Sequence, residues 1–266
     1  MVRQDRFIAS ERPSSGRRFR RSEWMEKMDD RRAGASDLEA ALEEIERAVD
    51  GGETDLRRLG FWRVLGPVKQ DPILADLVAD RAGRIDRRAF EARVRPLAPV
   101  WVGNLVLFAG VVAGAGAVVV AVRADTPTIA GLALIAAAGI WSLAVHGLAH
   151  WVVGRIVGIR FFAYFLGGPP PPRPGLKSDY STYLRASPSG RAWMHASGAI
   201  ATKLAPFVVL ALYPLTDAPA WAAWAVLALG ILQIVTDVLF STKSSDWKKF
   251  NRERRAGRPA GGRRGE

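Results

Sequence analysis

The chain contains no cysteine, and this absence narrows the chemistry open to it. Disulfide bonds, thiolate metal sites and cysteine nucleophiles are excluded. Histidine is also scarce: the sequence contains only His146, His150 and His195. A metal ion would therefore be held by imidazoles together with carboxylates.

Long stretches of the chain almost lack charge, although 24% of its 266 residues are charged and the formal net charge is +12. The charges gather at both ends and in one central stretch, with apolar runs between them. This segregation is typical of membrane spans with basic flanks rather than of a nucleic-acid-binding protein. We therefore predict membrane lipids as partners and no specific nucleic acid.

Four apolar segments reach or approach the roughly 20 residues that cross the hydrocarbon core of a bilayer. They run over residues 100–122, 128–153, 197–215 and 220–241. We predict an all-α fold, in which a polytopic bundle of four transmembrane helices forms a membrane domain over residues 98–242.

Basic residues predict the orientation of this bundle. Arg and Lys are abundant in the central loop, residues 156–195, and in the C-terminal segment, but rare in the loops around Asp125 and Asp217. By the positive-inside rule, the central loop and both termini are expected to be cytoplasmic. The predicted location is the cell membrane, as a multi-pass protein.

Three segments lie outside the membrane domain. Residues 1–35 are expected to form a disordered basic leader and residues 243–266 a disordered basic tail. Residues 36–97 should form a small, detachable cytoplasmic helical module, which begins with a capping box of Ser36 and Glu39. The module would serve as a packing element beside the membrane or as a binding site for a partner.

The central loop contains four consecutive prolines, Pro169 to Pro172. Such a run favours an extended polyproline conformation. Three roles stay open for this loop: binding along a groove of a partner, a rigid lid over the nearby histidines, or a simple spacer.

Ionisable residues inside a span are costly and are therefore functional candidates. His146 and His150 are four residues apart on the second span, so both project from one helix face. This is the spacing at which two imidazoles chelate zinc. Since each imidazole inside a span needs a polar partner, we interpret the pair as a functional feature.

Asp237 in the fourth span is the candidate third ligand. At about 1.5 Å per residue, His146 and Asp237 both lie about 27–29 Å from the extracytoplasmic ends of their spans. We predict a zinc site of His146, His150 and Asp237, with water in the fourth position. The alternative for Asp237 is a salt bridge to Lys203 in the third span.

The motif HGLAHWVVGRIVGIRF, residues 146–161, resembles the HExxH helix of the site-2 protease family of membrane-embedded zinc peptidases. The small-residue segment ASGAIATKLAPF, residues 196–207, is similar to the glycine-containing helix that follows in that family. The similarity covers about residues 128–250. It implies a zinc metallopeptidase scaffold whose third ligand comes from the last span.

Two departures from the family pattern are visible. The family's third ligand usually belongs to an L-D-G motif, which this chain lacks, so Asp237 and Asp246 compete for that role. Asp246 follows a polar, turn-like stretch, as in the family, but we predict Asp237 because of its depth. The second departure is Gly147, which occupies the position of the glutamate that serves as general base.

Loss of the general base implies a zinc-binding pseudoprotease without peptidase activity, which acts on or regulates membrane-protein clients. Two alternatives stay open. One is an active intramembrane zinc metallopeptidase with a different general base. The other is a small metal or proton transporter that uses His146, His150 and Asp237 as a relay.

The orientation leads to a first testable prediction. Reporters fused at Asp125 and at Asp217 should both read extracytoplasmic, because the adjoining loops nearly lack basic residues. Alkaline phosphatase and fluorescent-protein fusions at each position would measure this. A cytoplasmic reading at either position would contradict the four-span orientation.

Overall fold

A computed structural model describes residues 21–167, 173–239 and 245–257 of the chain. Its helices are α1 (Arg21–Asp50), α2 (Phe61–Val68), α3 (Pro72–Arg93), α4 (Val100–Arg123), α5 (Pro127–Ile156), α6 (Tyr180–Arg185), α7 (Pro188–Leu212), α8 (Ala220–Leu239) and α9 (Asp246–Ala256). Its strands are β1 (Leu97–Pro99), β2 (Phe161–Gly167) and β3 (Arg173–Ser178). Contacts divide the chain into two units between Ala41 and Leu42, within α1.

Among the described residues, four helices, α4, α5, α7 and α8, are long and apolar enough to cross a membrane, the same number as the sequence predicted. The third begins earlier than predicted. Ser187 caps α7 by accepting a hydrogen bond from the Gly190 amide, and Pro188 takes the first helical position. The helix therefore extends into the segment that the sequence assigned to the central loop.

Small side chains bring the four spans together. The buried cluster between them is rich in alanine, with Ala130, Ala137 and Ala138 on α5 and Ala222 on α8. Side chains of this size let helix backbones approach closely where lipid supplies no hydrophobic driving force. The bundle is therefore held by close packing, and α5 lies against the three other spans.

A three-stranded antiparallel sheet, with the order β1-β2-β3, was not predicted from the sequence. Leu97 on β1 pairs with Phe165 on β2, and Phe161 on β2 pairs with Ser178 on β3. The β2 sequence FFAYFLG is rich in aromatic residues, which favour strands. The fold is mostly helical, but the all-α prediction is incomplete because the central loop forms this hairpin. Pro169 to Pro172 lie outside the described residues.

The predicted helical module is helical, and residues beyond it contribute to its buried core. Tyr180 at the start of α6 packs against Phe61 of α2, with ring centroids 5.9 Å apart. The Arg185 guanidinium at the end of α6 binds Asp76 at 2.7 Å and Asp80 at 2.8 Å, both on α3. The central loop thus connects α2 and α3 to the membrane domain.

Two predicted segment boundaries differ from the structure. α1 begins at Arg21, so Ser36 lies inside a helix rather than at its start. Helix α9 lies within residues 243–266, which were predicted to be a disordered tail. Ser245 caps this helix by accepting a hydrogen bond from the Lys248 amide. A Ser immediately before an acidic first turn is a standard helix start, so the cap was visible in the sequence.

The contact between α3 and α6 generates a second prediction. A Cβ added at Gly83 would lie 2.8 Å from Ser181 Cβ and 2.9 Å from the Ser181 amide nitrogen. Gly83→Ala should therefore destabilise the protein by about 1–3 kcal/mol, the usual cost of overpacking. Thermal unfolding of the detergent-purified protein would show this as a lower Tm.

Gly116→Ala in α4 is the matched control. Apart from its two chain neighbours and the nearby backbone of its own helix, no heavy atom of the described residues lies within 4 Å of a Cβ added at Gly116. This variant should keep or raise the Tm, because alanine is the better helix former by about 0.5–1 kcal/mol. Equal Tm values for Gly83→Ala and the parent would contradict a tight contact between α3 and α6.

Candidate metal centre

The candidate site is built on His146 and His150, which lie in the last three turns of α5. Their spacing of four residues places both rings on one face of the helix. The two Nε2 atoms are 3.2 Å apart, and the ring planes are nearly perpendicular, at 89°. The structure therefore confirms that the two imidazoles converge, as the spacing predicted.

Asp246, the first residue of α9, completes the group. Its Oδ2 lies 3.2 Å from His150 Nε2 and 3.4 Å from His146 Nε2. The three atoms form a nearly equilateral triangle with sides of 3.2–3.4 Å. A tetrahedral zinc ion with bonds of about 2.0–2.1 Å holds its ligand atoms about 3.3 Å apart. The triangle thus has the size of one face of a zinc tetrahedron.

Hydrogen bonds at the Nδ1 atoms of the two histidines orient their rings so that both Nε2 atoms face Asp246. His150 Nδ1 donates to the Met194 carbonyl oxygen at 2.6 Å, which assigns the lone pair of the neutral ring to Nε2. His146 Nδ1 is hydrogen-bonded to Thr202 Oγ1 at 3.0 Å. Metal-binding histidines ordinarily have such a partner on the second ring nitrogen, because it fixes the tautomer and the ring orientation.

The carboxylate of Asp246 is held in its charged form. Burial alone would raise the pKa of Asp246, but the hydrogen bond and charge of His150 in its protonated form, together with the charge and hydrogen bond of Lys249, lower this pKa well below its usual value. Lys249 Nζ donates to Oδ1 at 3.1 Å, so Oδ2 faces the histidines. The group therefore offers two imidazole nitrogens and one carboxylate oxygen as possible metal ligands.

Gly198 lets α7 approach the histidine pair. A Cβ added at this position would collide with the His150 ring at Nε2. Only glycine leaves room for the imidazole between α5 and α7 in this arrangement. The small-residue segment on α7 that the sequence analysis noted thus has a steric role beside the site.

Asp237 does not join the histidine pair. Its Oδ2 lies 2.6 Å from Lys203 Nζ, which is the salt bridge considered as the alternative. Depth along a span was the basis for choosing Asp237, but depth does not specify which side of the bundle a residue faces. The structure brings Asp246 to His146 and His150 instead, so the candidate ligand set is corrected to these three residues.

The three ligand atoms lie at a cavity of about 450 Å³ between α4, α5, the sheet and α9. Its walls are mainly apolar. Two lining residues, Val106 and Leu143, are 64% and 79% exposed on the outer surface of the spans. The cavity wall therefore includes residues that also belong to the outer, apolar surface of the spans.

Gly147 also lines this cavity. A Cβ added there would lie 2.8 Å from Leu107 Cδ1 and 3.5 Å from the Tyr164 hydroxyl oxygen. A larger side chain would thus require a shift only at the flexible end of Leu107. The position at which the resembling family has its glutamate therefore faces the cavity and carries no functional group here.

Two polar side chains in the cavity wall were not predicted as site residues. The Tyr164 hydroxyl donates to Asn104 Oδ1 at 2.8 Å, and burial raises the pKa of Tyr164 to about 12. His195 Nε2 is hydrogen-bonded to the Tyr183 hydroxyl at 3.0 Å. Tyr164 lies on the unpredicted strand β2, so its sequence position did not point to the site.

Comparisons of the chain with known proteins found no match among protein-family models, curated proteins or solved structures. The resemblance to the site-2 protease family therefore rests on the motif residues alone.

The ligand set gives the third prediction. Zinc affinity should fall by more than about 100-fold in each of the variants His146→Ala, His150→Ala and Asp246→Ala. Loss of a residue that only supports a ligand already costs up to about 100-fold, and loss of a ligand itself should cost more. Metal analysis of purified protein and competition with a chromogenic chelator would measure this. The parent should hold about one zinc per chain.

Asp237→Ala is the matched control, since it also removes one carboxylate from the same end of the bundle. It should retain zinc because Asp237 is paired with Lys203. Zinc loss in Asp237→Ala together with retention in Asp246→Ala would restore the ligand set that depth predicted.

Proposed function

We propose that the protein is a zinc-binding, membrane-embedded pseudoprotease of the site-2 protease type, which binds or regulates membrane-protein clients. The observation that carries this proposal is the triangle of His146, His150 and Asp246 at an apolar cavity. Two imidazoles and one carboxylate are a ligand set of catalytic zinc sites, which keep a fourth position open. A client group or water would occupy that position.

The chemistry of the ligands favours zinc over other common ions. Magnesium and calcium prefer sites made of oxygen ligands alone, whereas imidazole suits zinc. Bound zinc would polarise a carbonyl group or lower the pKa of a water molecule. The residues of this chain would contribute by holding the two rings and the carboxylate at the required separation.

The absence of a side chain at Gly147 supports a non-catalytic role. A peptidase of this type needs a group that accepts a proton from the attacking water, and loss of such a group costs about 10²–10⁴ in rate. Tyr164 is the hydroxyl group nearest to this position, at 3.5 Å from an added Cβ. With a pKa of about 12, it stays protonated at neutral pH and does not serve as a base.

A second candidate function is an active zinc peptidase that uses His195 as its general base. The observation that favours it is that His195 lines the same cavity as the ligand triangle. In that case His195→Ala would abolish cleavage without removing the metal. If the protein is a pseudoprotease, neither the parent nor His195→Ala cleaves the peptide.

The cavity indicates the kind of client. Its walls are apolar, and Val106 and Leu143 in the wall are also exposed on the outer surface of the spans, which suits an apolar segment that comes from the bilayer. Following the positive-inside rule, we place the histidine end of the bundle and both termini on the cytoplasmic side of the cell membrane. A client would then be bound at the cytoplasmic boundary of the membrane.

The proposal leads to the fourth prediction. The parent protein, loaded with zinc, should not cleave a helix-destabilised transmembrane peptide at a useful rate. Gly147→Glu should gain measurable, zinc-dependent cleavage, because Leu107 can yield and the carboxylate would face the cavity. Mass spectrometry of the peptide products in detergent would follow both reactions.

Four further variants, three in the cleavage assay and one in a flux assay, separate the candidate functions. Gly147→Gln is the control for Gly147→Glu, since it has the same size without a carboxylate and should stay inactive. Robust cleavage by the parent that is lost in both His146→Ala and His195→Ala would contradict the pseudoprotease and favour the peptidase. Zinc flux in proteoliposomes containing the parent, absent in His150→Ala, would favour the transporter instead.

A further inference from the structure

The third candidate ligand differs in origin from the other two. His146 and His150 belong to a span, whereas Asp246 is the first residue of α9, a short polar helix outside the spans. Its place in the site therefore depends on how α9 docks onto the rest of the protein. A rotation of α9 by a single residue, about 100°, would turn Asp246 away from the histidines.

One apolar contact fixes α9 against α7. Phe250 is buried and forms a small cluster with Ala192 and Ala196 of α7. Its ring also lies 5.6 Å from the Trp193 ring and 5.2 Å from the Trp247 ring, measured between centroids. Contacts of this kind hold a helix near its neighbour but are tolerant of small shifts, because they are not directional.

Directional contacts are supplied by a buried ionic cluster formed by Glu253, Arg191 and Lys69. Glu253 Oε2 accepts from Arg191 Nε at 2.7 Å, and Oε1 accepts from Lys69 Nζ at 3.0 Å. Glu253 and Arg191 are each only 1% exposed. Although burial would raise the pKa of Glu253, Lys69 and Arg191 lower it to about 2, so the carboxylate is charged.

Arg191 makes further hydrogen bonds that extend the cluster to other helices. It lies on α7, and its guanidinium also donates to the carbonyl oxygens of Leu184 at 3.2 Å and Lys69 at 3.1 Å. Lys69 follows α2 directly. The cluster therefore joins α9 to α7, to α6 and to the end of α2.

Glu253 and Asp246 are seven residues apart on α9, which places them on the same face and about 10 Å apart along the axis. The same docking that buries Glu253 against Arg191 thus turns Asp246 toward the histidines. Removing one partner of a buried ion pair leaves an uncompensated charge and is strongly unfavourable. Glu253 can therefore set the rotation of α9.

We propose that Glu253, Arg191 and Lys69 act as positioning residues for the metal centre: they lock α9 so that Asp246 reaches His146 and His150. Zinc affinity then depends on a contact with the end of α2, far along the chain from the ligands. By thermodynamic linkage, bound zinc in turn stabilises the docked state of α9. This inference rests on the proposed function, because it requires that the site binds zinc.

Glu253→Gln in the full-length, detergent-purified protein tests this positioning role, because it removes the charge and keeps the size of the side chain. Zinc affinity should fall by about 10–100-fold, the range for losing an outer-shell partner. The visible spectrum of the Co²⁺-substituted protein should change as Asp246 leaves the coordination sphere. A purely structural role for Glu253 would leave this spectrum unchanged in the folded fraction.

The matched control is Arg88→Gln, which breaks another ionic contact, that of α3 with Asp50 of α1, and leaves α6, α9 and the end of α2 untouched. It should leave both the zinc affinity and the Co²⁺ spectrum as in the parent. Lys69→Met should give a smaller loss than Glu253→Gln, since Arg191 still compensates the carboxylate.

Hydrogen exchange of the peptide over residues 246–257 supplies a readout that does not require the variants to bind metal. In the parent, zinc should slow this exchange. In metal-free Glu253→Gln, exchange should be faster than in the metal-free parent. If the parent protein binds no zinc, the proposed function is overturned. If the parent and Glu253→Gln bind zinc equally tightly and give the same Co²⁺ spectrum, only the positioning role of the ionic cluster is overturned.

Discussion

The need to satisfy polar groups at membrane depth shapes this structure. An imidazole, an ammonium or a carboxylate inside a span is costly unless it has a partner. His146 and His150 find theirs in Thr202 and the Met194 carbonyl on α7, and Lys203 on α7 finds Asp237 on α8. These pairings specify which helix faces meet, and the alanine- and glycine-rich contacts between the spans bring those faces close enough.

Three atoms that could bind one metal ion converge beside these pairings. His150 Nε2, His146 Nε2 and Asp246 Oδ2 lie within 3.2–3.4 Å of one another. A carboxylate and the lone pair of His150 repel unless a proton or a cation lies between them. The second nitrogen of His150 donates to a carbonyl, so a proton from His146 or a bound cation would relieve this repulsion.

The part of the structure outside the spans determines where the third candidate ligand lies. α9 is polar, and of its residues only Phe250 and Glu253 are buried. Buried charge supplies the directional contacts, through Glu253 with Arg191 and Lys69. Lys177 and Asp86 form a comparable pair between β3 and α3. Because Arg191 contacts α6 and the end of α2 as well, one network joins the helical module to the candidate metal centre.

The sequence by itself determined the four spans and the convergence of His146 with His150, because both follow from local periodicity: apolar run length in one case and a spacing of four in the other. It also contained the start of α9, in Ser245 before Asp246. The sheet escaped prediction because short strands have weak local patterns and are stabilised by partners distant in the chain. Only the tertiary structure decided between Asp237 and Asp246. Counting residues along a span specifies how deep a side chain lies but not which side of the bundle it faces. The carboxylate beside the histidine pair belongs to Asp246 on α9, a helix outside the spans.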